Sequence, residues 1–142
     1  MLEQGLIPVA RRVVDTFNVS DWEGFKAAMT PDCVYDEVGT SRIMRGIGEV
    51  IPCFQEWKRA MPDVRGTVTN EWATGNTVVL EVLWQGTHTG PLQGASGTVP
   101  ATGKQQTTRA SWVLSFESGK IKDGRHYFDL FSLMQQLGIL SK

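Results

Sequence analysis

The sequence has few of the side chains that bind metal ions or cross-link a chain. Among its 142 residues there are two cysteines and two histidines. Cys33 and Cys53 lack metal-ligand spacing, and His88 and His126 fall on unrelated faces of predicted strands, so we expect no metal site. Isolated cysteines of this kind are typical of reduced, buried thiols, which predicts a cytoplasmic protein.

The chain also lacks an excess of charge and any long apolar run. Its net charge of −1 gives no electrostatic reason to expect binding to nucleic acid or to an anionic membrane. No apolar run approaches the roughly 18 residues of a membrane span, and we expect no secretory signal. No glycine-rich phosphate loop joins a strand to a helix, and no motif places a serine beside His88. We therefore expect no cofactor and no serine-based triad.

Helical spacing of apolar residues occurs near the beginning of the chain and again before its middle. It predicts a helix from Ile7 to about Asn18, a short helix over Trp22–Met29 and a third helix from Ile47 to Met61. Pro31 ends the second helix in a turn. Pro52 must either lie in the first turn of the third helix or bend it.

Alternation of apolar and polar residues dominates the second half of the chain. It predicts long strands at 64–74, 77–88, 105–117 and 121–130, with a shorter strand at 33–37 before them. Helices followed by long strands with tight turns argue for an α+β fold, in which a curved antiparallel or mixed sheet wraps around the N-terminal helices. No linker or repeat divides the sequence, so we expect a single domain over residues 1–142.

Residues 86–104 form a long, glycine-rich and polar connection between two predicted strands. Such connections in compact domains are often functional lids, and the alternative is a flexible hairpin loop. We expect residues 90–104 to be more mobile than the strands and to lie at the mouth of a cavity. The reason is that they have few apolar anchors beyond Leu92 and Val99.

The predicted strand at 121–130 carries an unusual set of polar residues. Arg125, Tyr127 and Asp129 recur at period two and share one face, either solvated or lining a cavity, whereas His126 points the other way, towards a subunit contact. A short amphipathic helix follows Asp129 and would partly cover its carboxylate. Desolvation would raise the pKa of Asp129 and Arg125 would lower it. The alternative is that Asp129 caps the helix or pairs with Arg125.

Three stretches near the C-terminus resemble those of one protein family. They are Gly119-Lys120-Ile121, then Arg125-x-Tyr127-x-Asp129, then Gln136-Leu137-Gly138. Together they resemble the C-terminal signature of SnoaL-like polyketide cyclases, which belong to the NTF2-like superfamily. The glycine-rich connection, with its Gly-x-His-x-Gly pattern, is similar to that family as well. The resemblance covers almost the whole chain and implies a cone-shaped α+β fold around an internal pocket.

The resemblance also implies roles for individual residues. Asp129 stands where the cyclases have their catalytic acid/base, His88 where they have a histidine, and Tyr35 where they have a polar pocket residue. Trp112 is a departure, because the cyclases carry a histidine at that position of the preceding strand. Its loss removes an imidazole that could relay a proton, which argues against polyketide aldol chemistry but not against the fold.

We therefore predict Asp129 and His88 as catalytic residues that face one cavity together with Tyr35. The predicted substrate-binding residues are Tyr35, Phe54, Trp57, Trp84, Trp112, Arg125 and Tyr127. The expected function is a cofactor-independent cyclase, ester cyclase, isomerase or hydrolase that acts on a small hydrophobic or polycyclic ligand. The alternatives are a binding module without catalysis and an interaction subunit that uses the outer sheet face. By resemblance we expect a homo-oligomer, a dimer or a tetramer.

Overall fold

The computed structural model describes residues 3–94 and 97–139. The helices in this part of the chain are α1 (Glu3–Asn18), α2 (Trp22–Ala27), α3 (Ile47–Ala60) and α4 (Leu130–Gln136), with a 3-10 helix at Val38–Thr40. The strands are β1 (Met29–Glu37), β2 (Arg42–Arg45), β3 (Arg65–Thr74), β4 (Thr77–Thr87), β5 (Leu92–Gly94), β6 (Gly97–Val99), β7 (Gln105–Glu117) and β8 (Lys120–Phe128).

Most of the strands form one mixed sheet in the order β2-β1-β8-β7-β4-β3. All neighbours in this sheet are antiparallel except β1 and β8, which run parallel. Strands β5 and β6 form a separate small hairpin inside the long glycine-rich connection. The predicted α+β class, with a curved mixed sheet and N-terminal helices, is confirmed.

The hydrophobic core lies between the helices and the inner face of the sheet. Ala10, Val13 and Val14 of α1 are almost completely buried, because they recur at helical spacing on one side of the helix. Leu80 of β4 and Leu114 of β7 belong to the same cluster. Apolar burial of this kind, worth about 25 cal/mol per Å², holds the helices against the sheet and leaves the space beside them available for a cavity.

The first strand begins earlier than the sequence pattern predicts. Helix α2 ends at Ala27 and β1 begins at Met29, so Pro31 lies inside a strand rather than in a turn. The pairing of β1 with β8 is irregular between Met29 and Val34. This irregularity accommodates the proline, which has no N–H to donate to a strand neighbour.

Strand β8 contains an irregularity that decides which of its residues face the core. Its register with β7 shifts between Ile121 and Asp123. Ile121 and Gly124 are both buried although they are three positions apart, and His126 follows on the buried side. A β-bulge adds one residue to the period-two pattern, so it exchanges the faces of all the residues that follow it.

Two simpler features complete the description. No helix in the described part of the chain is long and apolar enough to cross a membrane. Cys33 and Cys53 are both buried and neither forms a disulfide. Burial raises the pKa of the Cys33 thiol to about 11, so this side chain stays protonated and behaves as a small apolar residue.

Candidate functional site

A cavity opens between the inner face of the sheet and helices α1 and α3. The centre of a water molecule can move through about 60 Å³ of it, and the empty space between the lining atoms, including solvent at the opening, is about 500 Å³. Aromatic rings form much of its wall, those of Phe17, Phe54, Trp57, Trp84 and Phe128. The polar side chains that reach it are those of Tyr35, Glu37, Gln106, Thr108 and His126. An apolar cavity with a few converging polar groups is the usual form of a small-molecule site.

Four side chains around the cavity form one continuous chain of hydrogen bonds, which we call the relay. Trp84 Nε1 lies 3.1 Å from His126 Nε2, and His126 Nδ1 lies 2.8 Å from the Tyr35 hydroxyl. That hydroxyl lies 3.0 Å from Glu37 Oε2. The relay therefore connects β4, β8 and β1. Tyr35 and Glu37 both point inward because they are two positions apart on one strand.

The chemistry of the groups fixes the direction of each hydrogen bond in the relay. An indole N–H can only donate, so His126 Nε2 accepts from Trp84. A neutral imidazole has one donor nitrogen, so His126 Nδ1–H donates to Tyr35, and the Tyr35 hydroxyl donates to the Glu37 carboxylate. Every proton in the relay thus points towards Glu37.

Glu37 ends the relay as a carboxylate that is 1% exposed and surrounded by donors. Its Oε2 also accepts from Trp57 Nε1 at 2.9 Å, and its Oε1 accepts from the Thr40 hydroxyl and from Arg42 Nη2 at 2.8 Å. Burial raises the pKa of Glu37, but the hydrogen bond from Thr40 and the charge of Arg42 outweigh it and leave the pKa below 4.5. Glu37 is therefore an anion at neutral pH.

His126 is neutral at neutral pH, although the relay connects it through Tyr35 to the Glu37 anion. The residue is 5% exposed, and its ring stacks on Trp112 with centroids 4.7 Å apart. Burial lowers the pKa of His126 from 6.5 to about 4, although the charge of Glu37 acts to raise it. A neutral imidazole next to a cavity can accept a proton, which makes His126 a candidate base.

His88 lies apart from this cavity, directly after β4. It is fully buried, and its Nδ1 accepts from the backbone N–H of Thr102 at 3.2 Å. Its backbone N–H donates to the carbonyl of Lys104, and its carbonyl accepts from Gly103. Burial lowers its pKa. His88 thus anchors the long connection to the sheet, and the expectation that it faces the same cavity as Tyr35 is wrong.

The two histidines should be opposite tautomers at neutral pH. His126 should carry its proton on Nδ1, because Nε2 accepts from Trp84, and His88 should carry its proton on Nε2, because Nδ1 accepts from Thr102. Long-range proton–nitrogen correlation spectra of a nitrogen-labelled sample distinguish the two forms. A His88→Gln variant assigns the signals, since one ring then remains. A proton on Nε2 of His126 would contradict the direction of the relay.

Several residues predicted from the sequence do line the cavity. Tyr35, Phe54, Trp57 and Trp84 all contribute to its wall. Trp112 is buried, 2% exposed, and supports the ring of His126 from behind. Trp112 is not part of the cavity wall, so it would act on a ligand only through His126, and its predicted contact with substrate is not supported.

The expectation that Asp129, Arg125 and Tyr127 face the cavity is wrong. They do share one face, as predicted, but the irregularity in β8 turns that face outward. Tyr127 is 43% exposed, and the Arg125 guanidinium lies 3.4 Å from the Asp123 carboxylate on the outer surface. The inner face carries His126 instead, which was expected on the opposite side at a subunit contact.

Asp129 begins helix α4. Its exposed carboxylate accepts hydrogen bonds from the backbone N–H groups of Phe131 at 3.0 Å and Ser132 at 3.3 Å. This is the geometry of a helix N-cap, in which a side chain satisfies N–H groups that have no partner within the helix. The alternative left open by the sequence, an aspartate that caps the helix, describes the position of this side chain.

The long connection also packs differently from a free lid. Leu92 is 5% exposed and belongs to the core cluster, and Val99 packs against that cluster. The described residues between 90 and 104 do not contribute to the wall of the cavity. The predicted mobility of this segment stays a prediction, and its placement at the cavity mouth is not supported.

Sequence reasoning missed Glu37 and His126 as site residues. The signal for Glu37 was present, because it is in phase with Tyr35 on the short strand at 33–37 and a carboxylate at an inward position is uncommon. The signal for His126 was hidden, because no local residue pattern marks the irregularity that places it inside. Among the described residues, no group of three His, Cys, Asp or Glu side chains is arranged to hold a metal ion.

Comparison with known proteins agrees with the fold. The family described as SnoaL-like polyketide cyclase matches residues 7–137. The chain belongs to this family. No functionally curated protein matches it.

Solved structures place this family member among proteins of the same fold. A proposed SnoaL-like polyketide cyclase from Jannaschia sp. CCS1 is 19% identical, with a TM-score of 0.87 over 98% of this chain and 95% of the other. IdmH, a proposed polyketide cyclase from Streptomyces antibioticus, is 23% identical, with a TM-score of 0.80 over 94% and 98%. AclR, a proposed hydroxylase from Streptomyces galilaeus, is 20% identical, with a TM-score of 0.83 over 99% and 89%. At these identities the likeness shows the fold alone.

Proposed function

We propose that this SnoaL-like protein is a cofactor-independent enzyme that moves a proton on a small, mainly apolar substrate with an acidic C–H beside a carbonyl. The observation that carries the proposal is the relay, which brings a neutral imidazole to the wall of an apolar cavity and connects it to a buried anion. Cyclase and isomerase reactions can both begin from such a proton transfer, and a hydrolase reaction can begin if the same base removes a proton from water instead.

The first step uses the end of the relay nearest the cavity. The carbonyl oxygen of the substrate accepts the Trp84 N–H in place of His126 Nε2, which frees the lone pair on that nitrogen. Nε2 then removes the proton from the neighbouring carbon. The electrons of the C–H bond move to form an enolate, whose oxygen is stabilised by the Trp84 N–H.

The second step moves a proton along the relay, so that no lasting positive charge is left on His126. The proton on His126 Nδ1 passes to the Tyr35 oxygen while the Tyr35 proton passes to Glu37 Oε2. The products are a neutral imidazole protonated on Nε2, a neutral tyrosine, a protonated Glu37 and the enolate. Returning the proton to another atom completes an isomerisation, and attack of the enolate on a second carbonyl forms a ring.

This coupling explains how an imidazole with a low pKa can serve as a base. Alone, His126 would be a weak base, because burial disfavours its protonated, cationic form. In the proposed step the Glu37 carboxylate, at the end of the same hydrogen-bonded chain, accepts a proton, so His126 does not remain a cation. Burial disfavours a charged His126, but after the proton transfer His126, Tyr35 and Glu37 are all neutral, so burial does not oppose this step.

A binding module without catalysis is the second candidate. It is favoured by the donors around Glu37, since Tyr35, Thr40, Arg42 and Trp57 all donate to its carboxylate. A carboxylate stabilised in this way accepts a proton reluctantly. In this function the cavity would hold an apolar ligand, and the hydrogen-bonded chain would serve only to keep the polar groups satisfied.

The two candidates are separated by hydrogen–deuterium exchange of enolisable substrates in heavy water. Simple methyl ketones and polycyclic β-keto esters are incubated with the protein, and loss of the α-proton signal is followed by NMR. We expect exchange above the buffer rate with the wild-type protein and a drop of about 10²-fold or more in Tyr35→Phe, which interrupts the relay. Binding of these compounds with exchange equal to that in buffer would favour the binding module.

A further inference from the structure

The cavity contains a second group of polar side chains that the relay does not use. Gln106 and Thr108 lie on β7, two positions apart and on the same inward face. They are 4% and 7% exposed, and both line the cavity. A buried primary amide on the wall of an otherwise apolar cavity is costly unless its donors and acceptor have partners.

The amide of Gln106 is only partly satisfied. Its Oε1 accepts from the Thr108 hydroxyl, and its Nε2 donates to the Met61 sulfur at 3.5 Å. A thioether is a weak acceptor. Turning the amide over would leave Oε1 against a sulfur that has no proton to donate, so the Met61 contact keeps the N–H donors of the amide towards the sulfur. Within the described residues, the thioether is the one acceptor these donors have.

The position of Gln106 sets it apart from the relay. Trp112 pairs with His126 in the register of β7 and β8, and Gln106 lies six positions before it on β7. At about 3.3 Å per residue, the backbone of Gln106 lies roughly 20 Å along the strand from the backbone of Trp112. Trp84, the strand partner of Thr108, belongs to the relay and reaches His126. Gln106 and the relay therefore line the same cavity from different positions along the sheet.

We propose that Gln106 is a substrate-binding residue that donates a hydrogen bond to a neutral acceptor oxygen of the ligand, a ketone, ester or amide carbonyl, other than the carbonyl that meets the relay. The proposal rests on the proposed function in one respect, namely that the carbonyl at the relay is the one that reacts. The substrate class is then a mainly apolar molecule that carries a second carbonyl oxygen apart from the reacting one.

The test uses pairs of ligands that differ by one carbonyl. A homologous series of linear methyl ketones, from 2-hexanone to 2-decanone, is compared with the diketones that carry a second methyl-ketone group at the other end. Affinity is measured from the fluorescence of the tryptophans, since Trp57 and Trp84 line the cavity. We expect the wild-type protein to bind one or more diketones about three- to tenfold more tightly than the matching monoketone, which is the effect of one hydrogen bond.

Two neighbouring glutamines supply the variant and its control. Gln106→Met keeps the length of the side chain but has no N–H, so it should abolish the preference for the diketone and leave the monoketone affinity within about twofold. Gln105 is the next residue and is exposed on the outer face, so Gln105→Met should keep the full preference. If Gln106→Met does not fold, as judged by its melting curve, Gln106→Leu replaces it.

The outcomes separate this inference from the proposed function. Equal affinities for every pair in the wild-type protein, including no measurable binding of either member, would overturn the subsite, and so would a preference that survives in Gln106→Met. A preference that is lost in Gln106→Met while no ketone undergoes exchange would support the subsite and remove the proposed chemistry. Hydrogen–deuterium exchange of a ketone without any preference for the diketone would support the proposed chemistry and overturn the subsite.

Discussion

Replacing His126 by glutamine should lower turnover on an exchanging substrate by about 10²- to 10⁴-fold. Glutamine can accept from Trp84 through its carbonyl oxygen and donate to Tyr35 through its amide, so both hydrogen bonds of the imidazole have a substitute. It cannot accept a proton at neutral pH. The change therefore removes the proposed base while it keeps the polar contacts that satisfy the cavity wall, and circular dichroism should show an unchanged fold.

Asp129→Asn is the matched control for this result. Asp129 is exposed and caps α4, and asparagine caps a helix about as well as aspartate, so its amide analogue should leave both turnover and stability nearly intact. Both variants are assayed in heavy water with the same ketone and melted under the same conditions. Full activity in His126→Gln together with a large loss in Asp129→Asn would return the catalytic assignment to Asp129, as the family resemblance implied.

The free energy of unfolding should fall by about 3 kcal/mol as the pH is lowered from about 6.5 to about 4. The cause is His126, whose pKa is about 4 in the folded protein because burial disfavours the cation, against 6.5 when the imidazole is free in water. Between these values the unfolded chain binds a proton that the folded chain does not. The contribution of His126 to the free energy of unfolding is therefore at its most favourable above pH 6.5 and is lost as the pH falls towards 4. Urea unfolding at a series of pH values measures this slope.

Two other groups titrate near this range and must be separated from His126. Burial also lowers the pKa of His88, which adds to the loss of stability in the same direction. The pKa of Glu37 lies below its usual value of 4.5, so its contribution is lost only at still lower pH. The slope should therefore become smaller in His126→Gln and smaller again in the double variant with His88→Gln. A slope that is unchanged in His126→Gln would show that His126 is not held neutral by burial.

The position of the proposed base, His126, shows which feature the sequence pattern did not predict. The residues of β8 were sorted correctly into two faces, because the backbone of a strand alternates whatever surrounds it. Which face looks inward depended on a shift in register between Ile121 and Asp123, and that shift arises from pairing with β7. The resemblance to a family gave the fold and the aromatic wall, but it placed Asp129 in a cavity that instead contains His126.

The sequence by itself determined the α+β class, the order of helices and long strands, and four of the side chains that line the cavity. These follow from hydrophobic periodicity, turn residues and family motifs, which are properties of short stretches of chain. Only the tertiary structure decided that Trp84, His126, Tyr35 and Glu37 form one hydrogen-bonded chain. These residues lie on three strands, and their contact depends on pairing register and on burial, which are interactions between distant segments that local sequence patterns do not encode.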